Sequence, residues 1–463
     1  MSLPESSRIS SLHKHQTKVV SSIKASGKIM YTAILLATVL FVSCSSAKQI
    51  QTGSYGKLNK AWKNLGLAPK YHVGLSIYDL RKKKSIFNYK ADNFFTPASN
   101  IKMLTMYASL SFLDEQLDAA WYTFLGDSLV IWGGGDPGTF YPDRKMTAPL
   151  VDFIRESDKD IIFSEQHFQT ERYGKGWAWD DYPFAFQCER NAFPIYGNRL
   201  WIDRKDDSIS IIPAYLTPLV KVSSGANSKA TKSEWGDRYF YTYNPTITAE
   251  ELKVPITFFR NDIQYAWSEA TGKQIGFSSL ALPSDAYAIK GSSRDSLIKI
   301  MMQQSDNFIA EQLLLACSLK GLHYMSESDI IDSLLKGPLY ELSNSVHWVD
   351  GSGLSRYNQA TPNTMVNILN RMVSLKGLTY LTKVFPAGGQ PGTLENSYPG
   401  KNGMPYLYAK SGSMKNVYCL SGFLFTHSGK VLLFSWMNNQ FPGEVGEVKS
   451  AMEKLFSFLY DHY

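Results

Sequence analysis

Cysteine is scarce: the four in 463 residues, Cys44, Cys188, Cys317 and Cys419, lie too far apart for a Cys-x-x-Cys pair serving zinc or redox chemistry. A disulfide-stapled scaffold is excluded at this length. The eight histidines form no His-Glu-x-x-His and no His-x-His beyond residue 43, so neither a metal nor a cofactor is expected. Charged residues make up only 19% of the chain, which argues against a coiled coil or a disordered polyampholyte. Of the net charge of +7, residues 1–43 carry +4, from Arg8, Lys14, Lys18, Lys24 and Lys28 against Glu5, leaving +3 scattered over the other 420. That is too thin for a phosphate-binding face, and nucleic acid is not an expected partner. No internal repeat is apparent. What is present is 44% hydrophobic and 13% aromatic residues, enough for a folded chain of two or three domains.

Long apolar runs are also lacking. Ile29 to Val42 is the longest, behind Lys24 and Lys28 and ahead of Ser43-Cys44-Ser45-Ser46, and it falls short of the roughly 20 residues that span a bilayer. The order basic, apolar, small is that of a secretory signal over residues 1–43. Phe41-Val42-Ser43-Cys44 resembles a lipobox, with Phe41 where leucine is usual, so Cys44 is the expected lipidation site. A periplasmic protein held to a bacterial membrane by a lipid anchor is the expected localisation.

Beyond the leader, Lys57 to Leu67 predicts a short helix, and His72 to Leu80 with Ser85 to Tyr89 predicts a hairpin around the basic Arg81 to Lys84. Ile101, Leu104, Ala108 and Leu110 predict a helix from Pro97 onward, with Thr96 as its cap. Glycine, proline and aromatics then become frequent, and strand-like runs such as Leu200–Asp203 and Ser208–Ile212 predict a β-rich insertion over 123–252. Helical periodicity returns at Pro255–Thr271 and Ser296–Cys317, and Val417–Phe425, Val431–Met437 and Gly443–Tyr460 close the chain as two strands and a helix.

Ser-x-x-Lys begins at seven serines here and means little alone. Ser99-Asn100-Ile101-Lys102 is the one at the start of a well-signalled helix, where residues three apart share a face, a geometry suited to a nucleophile beside an amine base. Ser305-Asp306-Asn307 follows, and then Lys410-Ser411-Gly412, ahead of a strand that could lay a peptide along its edge. These three elements in this order are the signature of β-lactamases and penicillin-binding proteins. The glycine-rich Asp350-Gly351-Ser352-Gly353-Leu354-Ser355-Arg356 has no lysine after a Gly-x-x-x-x-Gly frame, so a structural or rim role is expected rather than a phosphate cradle. Cys419, alone in an apolar strand, is expected to be buried and inert.

With Pro97–Lys102, Gly133-Gly134-Gly135-Asp136-Pro137, Gln304–Asn307, Asp350–Arg356 and Ala409–Ser413, the chain resembles the class C low-molecular-mass penicillin-binding proteins, D-alanyl-D-alanine carboxypeptidases and endopeptidases. The resemblance runs from about Gly74 to Asn439, and the gap of 206 residues from Ser99 to Ser305 suits this family. It implies an α/β (α+β) fold: a serine β-lactamase/transpeptidase-like domain with an antiparallel sheet flanked by helices, formed by residues 44–122 and 253–463. The insertion interrupts that domain. It also implies peptidoglycan stem peptides as substrate and β-lactams as inhibitors. Ser99 would attack the D-Ala-D-Ala carbonyl, with Lys102 as base, its pKa lowered by burial beside Lys410. Ser305 would pass a proton to the leaving amine, Asn307 would orient Lys102 and the substrate amide, and Lys410 with Ser411 would hold the terminal carboxylate. The N–H groups of Ser99 and Ser413 would form the oxyanion hole, Gly412 and Ser413 would complete the substrate-binding set, and Asp306 would be structural. A β-lactamase and a non-catalytic peptidoglycan-binding lipoprotein are the competing readings; intact Ser99, Lys102, Ser305, Asn307 and Lys410 disfavour the second.

Overall fold

Helix α1 (Ser54–Asn64) precedes a hairpin of β1 (His72–Asp79) and β2 (Lys84–Tyr89), and a 3-10 turn (Ala98–Ile101) runs straight into α2 (Lys102–Phe112). Next come β3 (Gln116–Leu125), β4 (Ser128–Gly133), α3 (Pro149–Glu156) and β5 (Asp160–Ser164). Strands β6 to β11 occupy Arg199–Lys205, Ser208–Ile212, Val220–Ser224, Lys229–Lys232, Tyr239–Tyr243 and Ala249–Pro255. After α4 (Arg260–Thr271), β12 (Ile275–Ser278) and β13 (Tyr287–Ser293), the chain forms α5 (Arg294–Gln303), α6 (Asn307–Leu322) and α7 (Glu327–Lys336). It closes with β14 (Val346–His347), β15 (Gln359–Ala360), α8 (Pro362–Val384), β16 (Leu407–Met414), β17 (Val417–Phe425), β18 (Val431–Asn439) and α9 (Gly446–His462). This is a computed structural model, and it describes residues 54–141, 148–233, 238–401 and 403–463; the leader 1–43 and Cys44 lie outside the described residues.

The two ends of the chain build one antiparallel sheet, ordered β16-β17-β18-β1-β2. Strands β17 and β18 are apolar on both faces because both faces are covered. On one side Leu420, Leu424 and Trp436 pack with Leu58 and Trp62 of α1 and with Met452 and Phe456 of α9. On the other, Cys419, Phe423 and Met437 pack with apolar residues of α2, α6 and α8. Helices on both faces of an antiparallel sheet are what the resemblance implied.

A second five-stranded sheet, ordered β12-β5-β4-β3-β13, mixes parallel and antiparallel pairs, and two three-stranded sheets, β8-β10-β9 and β11-β6-β7, accompany it. Residues 123–252 are rich in strand, and the sheets they form also take in residues beyond both ends of that range. β3 starts at Gln116 and is paired across a tight turn with β4, while β13 returns at Tyr287 to pair with β3. Composition changes at the glycine-rich segment, whereas strand pairing recruits the half-buried stretches either side of it.

Three local expectations also need correction. Ser296–Cys317 is two helices, because Ser305 adopts a left-handed φ of +58° and Asp306 caps a new start with its side chain accepting from Ile309 N–H at 2.9 Å. Pro255 ends β11 and the helix begins only at Arg260. Thr96 caps nothing: its N–H donates to Asn439 Oδ1 at 2.7 Å and its carbonyl accepts from Asn439 Nδ2 at 3.1 Å, which fastens the turn to β18.

Candidate active site

Ser99 lies in the 3-10 turn, partly exposed, and Lys102 opens α2 immediately after it with its side chain fully buried. The spacing of three brings Lys102 Nζ to donate to Ser99 Oγ at 2.9 Å. Two further acceptors close round the same nitrogen, Asn307 Oδ1 at 2.6 Å and the Ser352 carbonyl at 2.6 Å. Burial draws the Lys102 pKa down from the usual lysine range to about 8, although the charges of Asp350, Asp306 and Glu311 push it back up. Burial, rather than the second cation, is what lowers it. Lys410, also buried, is held well below the lysine range first by burial and then by the charge on Lys102.

Lys410 reaches across the site, donating from Nζ to Ser305 Oγ at 2.8 Å and to the Ser411 carbonyl at 2.6 Å. Asn100, the unassigned residue inside the first motif, ties the turn to the sheet: its Nδ2 donates to the carbonyls of Lys410 at 3.2 Å and Cys419 at 3.5 Å. Gly412 shares a strand face with Lys410. A Cβ there would sit 2.6 Å from the Pro97 carbonyl oxygen and 2.9 Å from Ser99 N, so only glycine lets β16 run this close to the Ser99 backbone. Along the outer edge of β16, Ala409 N–H donates to the Pro386 carbonyl at 2.9 Å and the Leu407 carbonyl accepts from Gly388 N–H at 2.9 Å. Alternation places the backbone groups of Ser411 and Ser413 on that same edge, past the cover, where an extended peptide could pair.

The 350–356 loop does more than border the site. Asp350 gathers four donors, the N–H groups of Gly353 at 2.8 Å and Ser355 at 2.6 Å, Asn358 Nδ2 at 2.7 Å and Trp177 Nε1 at 2.9 Å. Gly353, with φ +85°, passes so near the Ala98 carbonyl that no Cβ fits. This wedge presents the Ser352 carbonyl to Lys102. Behind it, Glu311 accepts from Ser352 N–H at 2.7 Å and from Arg190 Nη1 at 3.2 Å, and burial together with the Asp350 charge pushes its pKa up. The segment between β5 and β6 also reaches in: Asn307 Nδ2 donates to the Phe186 carbonyl at 2.9 Å. Sequence patterns carried no signal for these backbone carbonyls, because any residue can supply one.

The structure therefore brings Ser99, Lys102, Ser305, Asn307, Lys410 and Gly412 together, with Ser411 and Ser413 on the adjoining strand edge. Asp306 takes the structural part expected of it, capping α6 and bonding to Tyr141 and Arg199. Cys419 is buried, its thiol pushed up to about 12 by desolvation. Among the described residues no three His, Cys, Asp or Glu side chains assemble as metal ligands.

A family model described as the D-Ala-D-Ala carboxypeptidase 3 (S13) family matches residues 57–232 and 288–458, which is most of the chain. The chain belongs to that family. Membership makes it a serine-type D-Ala-D-Ala carboxypeptidase, a hydrolase, as the resemblance had implied. It is 23% identical over 448 residues to the D-alanyl-D-alanine carboxypeptidase DacB of Haemophilus influenzae, covering 84% of this chain and 89% of that one. It is likewise 23% identical over 423 residues to the D-alanyl-D-alanine carboxypeptidase of an Actinomadura species, covering 80% and 78%. The crystal structure of penicillin binding protein 4 from Haemophilus influenzae superposes with a TM-score of 0.67 at 19% identity, over 88% of this chain and 99% of that one, so the two share a fold.

Proposed function

We propose that the protein hydrolyses the terminal D-Ala-D-Ala bond of peptidoglycan stem peptides through an acyl-enzyme on Ser99. The observation that carries the reading is the single buried nitrogen, Lys102 Nζ, bonded at once to Ser99 Oγ and Asn307 Oδ1, with Lys410 and Ser305 facing it. Neutral Lys102 takes the Ser99 proton as Oγ bonds to the carbonyl carbon. The Ser99 and Ser413 N–H groups receive the developing oxyanion, where one donor typically contributes ~3–4 kcal/mol. As the C–N bond breaks, Ser305 gives its proton to the departing amine and is refilled from Lys410, which leaves the total charge of the lysine pair unchanged. Water then attacks the ester carbonyl, its proton passing through Ser305 to Lys410, and Lys102 returns its proton to Ser99 Oγ as the ester C–O bond breaks, which releases the shortened peptide and restores both lysines. β-Lactams enter by the same attack on Ser99; penicillin binding protein 4 of Haemophilus influenzae, at a TM-score of 0.63, has been solved complexed with a novel β-lactam. Incubation with purified muropeptides, followed by mass analysis, tests the reading: pentapeptide stems should lose one alanine, and stems that stay intact would overturn it.

In this scheme Lys410 holds the free carboxylate of the substrate, which returns the counter-charge that burial denies it. A charge-assisted hydrogen bond contributes on the order of 1.5–3 kcal/mol, so Lys410→Gln should lose roughly 10- to 150-fold in kcat/KM on a peptide ending in D-Ala-D-Ala. Amidating that terminus should harm the parent far more than the variant. Equal harm to both would assign Lys410 to the lysine pair alone.

We further propose that Cys44 carries acyl chains that hold the catalytic unit to a bacterial membrane on its periplasmic side, following the lipobox-like Phe41-Val42-Ser43-Cys44. Cys44→Ala should keep penicillin labelling and move it from the membrane fraction to the soluble one. A parent protein already soluble after cell breakage would leave only the secretory signal.

A further inference from the structure

A cavity of about 440 Å³ has a lining that includes Trp177, Trp179, Tyr182, Phe259, Gln187 and Lys232. Such a volume lies within the range of about 300–1,000 Å³ typical of ligand sites. Trp179 is 73% exposed and Phe259 59% exposed, large ring faces that a folded chain would otherwise cover. Gln187 is 3% exposed; its Nε2 donates to the Ala178 carbonyl at 3.1 Å, which fixes the orientation of the amide, and its Oε1 has no hydrogen-bond partner among the described residues. A buried acceptor left open in this way asks for an N–H or O–H from a ligand. Lys232, also buried, reaches the Thr257 hydroxyl at 3.5 Å and lies 5.2 Å from the Tyr182 ring centre, so it offers a donor beside the same rings. The carboxylate in the lining, Glu189, is already occupied by Arg172, Tyr173 and the Phe258 N–H.

We propose that this cavity binds an N-acetylated amino sugar of the glycan strand, so that the enzyme prefers stem peptides still attached to their polymer. The apolar C–H face of a pyranose suits the aromatic rings, the acetamido N–H suits Gln187 Oε1, and a carbonyl or hydroxyl oxygen suits Lys232. The ammonium group of a peptide would meet a ring-rich lining whose one carboxylate, Glu189, is already paired. The cavity is joined to the catalytic centre by one loop: Trp177 donates to Asp350, and Phe186, next to Gln187, accepts from Asn307. The proposal rests on the peptidoglycan reading above.

Two measurements test it, and the first needs no turnover. Titrating the full-length protein with an N-acetylglucosamine tetramer while following tryptophan fluorescence should give saturable binding, weakened about tenfold or more by Phe259→Ala and by Lys232→Met. The de-acetylated glucosamine tetramer should bind clearly more weakly. In the second, the parent should favour a disaccharide-pentapeptide over the free pentapeptide by about tenfold in kcat/KM, through KM. Both variants should erase that preference while holding activity on the free pentapeptide within about twofold. No saturable sugar binding, an equal loss on both substrates, or displacement of the sugar by a free stem peptide would each overturn the proposal. Sugar binding with cleavage of neither substrate would sink the peptidase reading and uphold the sugar site.

Discussion

Ser99→Ala should retain the parent fold and lose covalent labelling by a fluorescent penicillin completely. The hydroxyl removed is one of three acceptors around Lys102 Nζ, and the Asn307 side chain and the Ser352 carbonyl remain to satisfy it, so the thermal midpoint should move little. Turnover of a D-Ala-D-Ala peptide should fall by a factor on the order of 10⁵–10⁶, since loss of a serine nucleophile leaves only binding and the oxyanion hole. At about 1.4 kcal/mol per decade, that is roughly 7–8 kcal/mol of barrier. Labelling that persists in the alanine variant would move the nucleophile elsewhere, with Ser305, which accepts from the buried Lys410 just ahead of α6, as the next candidate.

Lys102→Arg carries the second large effect, because it preserves charge and removes the ability to accept a proton. General base catalysis contributes about 10²–10⁴-fold, and acylation by penicillin should slow by that much. Arginine is larger than a fully buried lysine, and overpacking could cost about 1–3 kcal/mol, so Lys102→Met serves as the smaller companion and should slow acylation equally. The parent should also show a pH dependence of definite sign. Only neutral Lys102 accepts the Ser99 proton, and with its pKa drawn down to about 8 by burial, kcat/KM should rise with pH to half its plateau near pH 8. The arginine variant should lack that rise. Near-normal acylation by either variant would remove Lys102 from the base role.

Local pattern was enough for the elements whose cause is local. The hairpin of β1 and β2, the apolar strands β17 and β18 and the closing helix follow from periodicity and turn residues within a few positions of each other. Ser99 and Lys102 were legible for the same reason, because a spacing of three on a helical turn dictates their contact. Ser305-Asp306-Asn307 and Lys410-Ser411-Gly412 were legible only as an ordered set: nothing in either triplet says that it lies beside Ser99 from 206 or 311 positions further along the chain.

What the chain could not state was anything that depends on which backbone atoms meet. The Ser352 and Phe186 carbonyls hold Lys102 and Asn307 in place, yet a carbonyl belongs to every residue and leaves no trace in composition. The closing of the second sheet left no local signal either, because β13 pairs with β3 from 162 residues away, counting from Leu125 to Tyr287. The source of the Lys102 pKa shift was also settled by packing. The sequence determined which groups could serve as nucleophile, base and anion holder; the tertiary structure decided that burial, opposed by three carboxylates, draws the Lys102 pKa down to about 8, because solvent exclusion is a property of the assembled core and not of any segment.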